Sequence, residues 1–177
     1  IKGNIDFISG LDNSYKDEIL DFNGELKGDY NNSLKMMRGP YLNTEYLAFF
    51  MSSENIMTKS ILIRKAINIG FDKEKMIKFL RNGIGIPANG GFIPFGLPGH
   101  NEKNYNKYDV KKAKKYVNEF IKISGKSPSL KLTTSSNYLI FCEYIQKELE
   151  KIGIEIIIDV IPGSALKQAK ANGKLNF

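Results

Sequence analysis

The middle of the chain runs SILIRKAINIG (residues 60–70), FDKEKMIKFLRNG (71–83) and IGIPANGGFIPFGLPG (84–99). In the first segment, Leu62, Ala66 and Ile69 fall one helical turn apart, and Met76 and Leu80 do so in the second. Asp72 stands between them, and its carboxylate can accept a hydrogen bond from a free backbone N–H of the next turn. The pattern predicts two short, largely buried helices, the second capped by Asp72.

The third segment has a different composition. Six glycines and three of the six prolines of the chain lie between Gly83 and Gly99, which excludes a regular helix or strand there. Its apolar content is too high for a disordered linker. We therefore expect an ordered loop that lies against a core or lines a cleft, with these apolar side chains: Ile84, Ile86, Phe92, Ile93, Phe95 and Leu97.

The rest of the chain predicts an α/β fold. Short strands are expected at 1–9, 34–37 and 46–51, and a helix at 14–22. Asp109 is expected to cap a helix that ends at Gly125. The order then becomes strand 130–134, helix 138–152, strand 154–161 and helix 164–172, with a further strand beginning at 175–177. A strand, a helix and a strand in this order predict a parallel pair, and the apolar run at 154–161 favours an inner strand covered on both faces.

Length and composition limit the classes of protein. The 177 residues, 42% of them hydrophobic, are enough for one good core, and no apolar run of about twenty residues marks a membrane span. One cysteine, Cys142, excludes an internal disulfide and fixes no compartment. The chain begins at Ile1 without a start methionine or a signal segment, so a fragment or a processed chain is expected.

Several segments together resemble one protein family. IRKAINIGFDKEKMI (63–77) is followed by a G-x-G-x-P pattern (83–87) and by IPFGLPG (93–99). This order resembles the oligopeptide-binding and dipeptide-binding proteins, which form extracellular solute-binding protein family 5 and serve ABC importers. The resemblance starts at about Tyr41 and also includes three flanking segments: YLNTEYLAFFM (41–51), SLKLTTSSNY (129–138) and YIQKELEKIGIEIIIDVI (144–161).

The resemblance implies a fold and a domain division. It implies an incomplete lobe of a two-lobed, periplasmic-binding-protein-like fold, with a mixed sheet built from parallel strand-helix-strand units. Residues 1–40 would be the tail of the first lobe, and 41–177 an incomplete second, ligand-binding lobe. Gly39 and Pro40 are the only compositional sign of that boundary. The acidic group that captures a peptide amine in the family is expected beyond Phe177.

The positive charge does not favour nucleic-acid binding. The formal net charge is +7, but the densest basic cluster, residues 111–115, alternates with Val110, Ala113 and Val117 on an amphipathic helix. Those lysines are expected to form its solvated face. The chain has only three arginines, although arginine is the usual reader of guanine edges. A basic nucleic-acid-binding domain is therefore kept only as a third alternative.

The sequence contains no complete motif for a cofactor or a metal. Gly83, Gly85 and Ala88 match a dinucleotide pattern but follow a helix and enclose Pro87, so no cofactor is expected. His100, the only histidine, has no second metal ligand at suitable spacing and no nucleophile beside it. Cys142 lies on an apolar helical stripe, where a small buried hydrophobe is the better interpretation. We expect no enzyme.

The strongest candidate site is the junction of 134–138. Ligands of parallel α/β sheets collect beyond the carboxyl ends of strands, where helix N-termini present free N–H groups. Hydroxyl and amide groups there suit a peptide backbone or carboxylate, and a tyrosine offers an aromatic wall with a polar tip. The predicted ligand-binding residues are Phe49, Thr134, Ser135, Ser136, Asn137 and Tyr138. The alternatives stay open: Phe49 as a core aromatic, and one junction residue as a plain N-cap.

The function expected from this resemblance is extracytoplasmic solute binding. Such a protein binds short peptides in an interlobe cleft and delivers them to the membrane permease of an ABC importer. It lies in the periplasm or is anchored as a lipoprotein at the cell surface. The alternative is a fragment of a small hydrolase or transferase whose catalytic residues lie outside this segment. A peptide, a nickel complex and a sugar all remain open as ligands.

Overall fold

The computed structural model of the protein describes residues 4–11, 15–175 and 177. The two strands are β1 (Ser129–Thr134) and β2 (Glu155–Val160). The helices are α1 (Lys16–Ile19), α2 (Ile56–Lys59), α3 (Ile61–Gly70), α4 (Lys73–Leu80), α5 (Val110–Ser124), α6 (Leu139–Glu150) and α7 (Gly163–Ala171), with short 3-10 turns at Gly28–Tyr30 and Ser136–Tyr138. The predicted α/β class is confirmed.

A parallel strand-helix-strand unit forms the second half of the structure. β1 leads into α6 and then β2, and the two strands pair in parallel from Ser129 with Glu155 to Thr134 with Val160. On the other edge of β1, the Thr133 N–H donates to the carbonyl oxygen of Phe177 at 3.0 Å. The start of the predicted last strand therefore lies beside β1, although Asn176 falls outside the described residues.

One hydrophobic core joins the helices to this sheet. α3 packs along α5, and α6 packs on β2. The faces that meet are apolar at helical spacing in the helices and at alternate positions in β1, so their burial follows from the sequence periodicity. The buried apolar side chains of this core are Ile63, Ala66, Ile67, Ile69, Phe71, Ala113, Val117, Phe120, Leu130, Leu132, Cys142, Ile145, Leu149, Ile152, Ile154, Ile156 and Phe177.

Three predicted helix ends are confirmed. Asp72 caps α4 by accepting a hydrogen bond from the Lys75 N–H at 2.9 Å. Asp109 caps α5 in the same way, at 2.8 Å from the Lys112 nitrogen. Gly125 ends α5 in the left-handed conformation, with φ of 68°, which glycine adopts without a Cβ penalty.

Helix α4 corrects one expectation, because none of its residues is buried. Its neighbour α3 is buried at five positions. The prediction of two largely buried helices was therefore right for α3 and wrong for α4. α4 packs against α6, and the rest of its surface, including the 57% exposed Phe79, faces outward.

Strand β2 corrects a second expectation. Ile154 and Ile156 are buried, but Ile157 is 53% exposed and Val160 is 46% exposed. β2 has β1 as its only strand neighbour within the described residues, and one of its faces is open. The prediction of a strand covered on both faces is therefore wrong for β2 within the described residues.

The predicted strands of the first half do not form. Residues 34–37 and 46–51 have no strand partner among the described residues, and neither do residues 4–9. Residues 1–3 of the first predicted strand lie outside the described part. The predicted helix at 14–22 is reduced to Lys16–Ile19, with Ser14 outside the described residues. Alternating apolar residues do not make a strand without a neighbour to complete its hydrogen bonds.

One of the two placements expected for the glycine-rich loop, against a core, is wrong for the described residues. The loop has no regular structure, as predicted, but its six apolar side chains are 39–64% exposed and do not lie against the core. The loop is attached to the preceding segment instead. Thr44 Oγ1 donates to the Phe92 carbonyl oxygen at 2.8 Å, and the Tyr46 and Phe92 rings lie 5.2 Å apart.

The region around α1 is attached to the end of α4 through a buried polar residue, Asn82. Asn82 donates from Nδ2 to the Asp21 carbonyl oxygen at 3.0 Å and accepts from Lys16 Nζ at 2.7 Å. It has a positive φ of 48°, which asparagine tolerates better than most residues. No helix in the described ranges is long and apolar enough to cross a membrane.

Candidate functional site

The junction of residues 134–138 lies where β1 ends and α6 begins. Thr134 is the last residue of β1, and its carbonyl oxygen accepts from the Ile161 N–H at 2.9 Å. Ser135 is extended, and the 3-10 turn Ser136–Tyr138 then leads directly into α6. The structure therefore brings five of the six predicted site residues together beyond the carboxyl end of a parallel strand.

The side chains of this junction differ in accessibility. Thr134 is buried and Ser135 half-buried, whereas Ser136, Asn137 and Tyr138 are exposed. Three adjacent residues therefore present a hydroxyl, an amide and a phenol to the outside, where a ligand could reach them. Thr134, in contrast, is buried at the end of β1.

The structure shows whether the side chains at the two N-cap positions of the junction cap a helix. Ser135 stands at the N-cap position of the 3-10 turn and Tyr138 at that of α6, and within the described residues neither side chain accepts a capping hydrogen bond. Their side chains are therefore not used as helix caps. The Tyr138 hydroxyl donates to Glu45 instead.

Tyr138 has an acidic neighbour. Its hydroxyl donates to Glu45 Oε1 at 3.4 Å, and its ring lies 6.2 Å from that of Phe141, tilted by 52°. Partial burial, and next the charge of Glu45, raise the pKa of Tyr138 above its usual value. The phenol therefore stays protonated and able to donate a hydrogen bond.

Sequence reasoning missed the charged pair beside Tyr138. Arg81, at the end of α4, donates from Nη2 to both carboxylate oxygens of Glu45 at 2.6 Å. Its guanidinium carbon lies 4.8 Å from the centre of the buried Phe141 ring. The scarcity of arginine could have drawn attention to Arg81, but nothing in the sequence pairs it with a residue 36 positions earlier.

Arg64 has a structural role. Its Nη1 donates to the carbonyl oxygens of Thr58 and Lys59, both at 2.8 Å. These carbonyls end α2, so Arg64 joins α2 to α3. Arg64 therefore anchors the start of α3 to the end of α2.

Phe49 packs on a buried aromatic residue. Its ring stacks on that of the buried Phe177, with centroids 4.4 Å apart and an angle of 11° between the planes. It also packs against the hydrophobic core and is half-buried. This geometry favours the alternative of a core aromatic over a ligand contact by Phe49.

The other residues considered from the sequence have ordinary surroundings. His100 Nδ1 lies 2.9 Å from the Ile93 carbonyl oxygen, and its ring meets the edge of Phe95. Cys142 is buried in the core, as predicted, and burial raises the pKa of its thiol. Neither position brings a nucleophile and a base together.

One lysine lies in a shallow depression away from the junction. Lys73 Nζ donates to the carbonyl oxygens of Asn68 and Asn106 and lies 5.1 Å from the Phe71 ring centre. Burial lowers its pKa to about 8. The depression is lined by Asp72, Lys73, Glu74, Asn89, Lys107 and Tyr108. Its contacts are those of a residue that ties the long loop to α3.

Solved structures with similar folds include several solute-binding proteins. The chain is similar to Listeria monocytogenes OppA bound to peptide, at 26% identity and a TM-score of 0.61, over 71% of this chain and 27% of that one. It is similar to AgaA from A. tumefaciens R10 in complex with agropinic acid, at 26% identity and a TM-score of 0.60, over 72% and 26% of the two chains.

A third similar structure covers more of the chain. The pheromone receptor PrgZ, described with its mode of peptide binding, matches 93% of this chain and 35% of its own, with a TM-score of 0.67. At 24% identity this likeness shows the fold alone. The chain thus spans about a quarter to a third of the length of these structures.

The comparison with curated proteins gives no match. The comparison with protein families matches the model of the bacterial extracellular solute-binding proteins, family 5 (middle part), over residues 1–177. That match covers the entire chain and agrees with the resemblance in the sequence and with the two-lobed proteins to which the fold is similar. The chain belongs to family 5 of the bacterial extracellular solute-binding proteins.

Proposed function

We propose that this chain is part of the ligand-binding lobe of a protein that binds short peptides in a cleft between two lobes. In this proposal, residues 1–40 belong to the end of the first lobe and 41–177 to the second. The protein delivers its ligand to the membrane permease of an ABC importer. It works outside the cytoplasm, in the periplasm or anchored as a lipoprotein at the cell surface.

The observation that carries the proposal is the exposed junction at the carboxyl end of β1. Ser136, Asn137 and Tyr138 are exposed and offer donors and acceptors to a ligand, and Tyr138 at the N-cap position of α6 makes no side-chain capping bond. Hydroxyl and amide groups bind the repeating carbonyl and N–H groups of a peptide without reading its side chains. Binding of this kind needs no cofactor and no catalytic group.

The peptide is favoured as ligand by the similar structures. OppA from Listeria monocytogenes, which is 26% identical to this chain, is bound to peptide in its structure. AgaA is equally similar but is in complex with agropinic acid, so the fold also accepts other solutes. The ligand class must therefore be tested directly, with nickel complexes and sugars as the competing classes.

The test is calorimetric titration of the full-length protein with pools of short peptides, a nickel complex and sugars. We expect binding at about 1 μM or tighter for peptides, which corresponds to about −8 kcal/mol. Mass spectrometry of the recovered ligand should find it intact. Binding of only the nickel complex or a sugar would contradict the peptide proposal, and a cleaved peptide would support the hydrolase alternative.

A further inference from the structure

A charged pair lies directly against the proposed ligand-binding junction. Glu45 accepts two hydrogen bonds from Arg81 Nη2 at 2.6 Å and one from the Tyr138 hydroxyl at 3.4 Å. Arg81 comes from the end of α4, Glu45 from the segment before α2, and Tyr138 from the 3-10 turn before α6. Three parts of the chain that are distant in sequence therefore meet at one point.

Glu45 uses most of its hydrogen-bonding capacity, whereas Arg81 uses less than half of its own. Two carboxylate oxygens offer about four acceptor positions, and Glu45 fills three of them with Arg81 and Tyr138. A guanidinium has five N–H donors, and within the described part of the chain Arg81 uses only the two on Nη2. The unused capacity is therefore mainly that of a donor, on Nη1 and Nε.

Arg81 is also held in place before any ligand arrives. Its guanidinium lies over the Phe141 ring at 4.8 Å, and Phe141 is buried. The ring contact and the ion pair together fix both the position and the plane of the fork, which lowers the entropy lost on binding. The Arg81 side chain remains 33% exposed, so the unused donors are accessible.

The charge of the pair selects the kind of acceptor. Glu45 neutralises Arg81, so a ligand meets donors without a net positive charge. A second carboxylate would be attracted by Arg81 and repelled by Glu45 at similar range. A neutral carbonyl oxygen accepts from the free N–H groups without that repulsion.

We propose that the Arg81–Glu45 pair binds a backbone carbonyl of the peptide ligand, beside the aromatic wall of Tyr138. This inference rests on the proposed peptide-binding function and adds the ligand group that is recognised. Recognition of a backbone carbonyl is independent of peptide sequence. It is also independent of whether the peptide ends in a carboxylate or an amide.

The test compares matched peptides with a free and an amidated C-terminus, titrated into the full-length protein and its Arg81→Gln variant. We expect Arg81→Gln to weaken binding of both forms by the same factor, roughly tenfold or more, which equals about 1.4 kcal/mol or more. Arg81→Lys should weaken both to a similar extent, because it keeps the charge and loses the fork. Arg64→Gln is the matched control, since Arg64 contacts only backbone carbonyls at the end of α2.

The outcomes separate this inference from the proposed function. A loss confined to free-acid peptides would overturn it in favour of a carboxylate site, and unchanged affinity for both forms would make Arg81 a structural residue. Full affinity in Arg81→Lys would show that charge alone matters and would also contradict the inference. If the unaltered protein binds no peptide at all, the proposed function fails first. Melting temperatures of all three variants identify any that are unfolded.

Discussion

Helix α3 and the glycine-rich loop of residues 83–99 are both rich in apolar side chains, but those of α3 are mostly buried and those of the loop are exposed. In α3, Ile63, Ala66 and Ile67 are at most 2% exposed. In the loop, all six large apolar side chains are at least 39% exposed. Apolar content alone therefore does not decide what is buried.

The difference comes from backbone regularity. A helix directs residues three and four positions apart to the same side, so apolar residues at that spacing reach one core. The loop turns at Gly83, Gly85, Gly91 and Gly96, where φ is positive, and its side chains share no common direction. The loop is instead held by contacts with residues 40–46, such as the Thr44 to Phe92 hydrogen bond.

The largest effect should come from a cavity in the regular part. Leu149 of α6 is fully buried, so Leu149→Ala should lower the free energy of unfolding by about 2–5 kcal/mol. Phe92→Ala removes a larger side chain from the loop, but one that is 64% exposed, and should cost about 0.5 kcal/mol or less. Urea denaturation of both variants gives the comparison. Equal losses would contradict the contrast between the two regions.

A smaller effect should show that the exposed loop is nonetheless ordered. A Cβ at Gly90 would overlap the Asn101 carbonyl oxygen, so Gly90→Ala must push two backbone segments apart. We expect a loss of about 1–3 kcal/mol, as for other overpacked positions. Gly28→Ala is the control, because its added Cβ would meet nothing within 4 Å. Equal stability of the two variants would mean that residues 90 and 101 do not pack in this way.

The next effect concerns the N-cap of α5. Asp109→Ala removes the hydrogen bond to the Lys112 N–H and should cost about 1 kcal/mol. Asp109→Asn keeps an acceptor at the cap and should cost less. Thermal denaturation monitored by circular dichroism distinguishes them. If alanine and asparagine destabilise equally, the capping bond is not what stabilises this end of α5.

Much of the fold from α4 onward could be predicted because its signals are local. Asp72 and Asp109 are capping residues in front of apolar periods, and Gly125 ends a helix that its own sequence defines. The strand and helix order around the junction followed from the same periodicities. The exposure of Ile157 could not be predicted, since it depends on what lies against the open face of β2.

The candidate site was predictable only in part. The position of residues 134–138 after a strand follows from chain order, whereas the contact of Tyr138 with Glu45 joins residues 93 positions apart. Phe49 shows the converse. Its place in an aromatic run favours a core residue over a cleft wall, but only the structure shows that its ring stacks on Phe177.

The most direct measurement of the central claim compares Tyr138→Ala with Phe49→Ala in the full-length protein, by peptide titration and by thermal denaturation. Tyr138→Ala should weaken peptide binding by roughly thirtyfold, about 2 kcal/mol, with a small change in melting temperature. Phe49→Ala should lower the melting temperature, because it leaves a gap beside Phe177, and should leave the affinity of the folded protein nearly unchanged. If Tyr138→Ala binds peptides like the unaltered protein, the junction of residues 134–138 is not the ligand site.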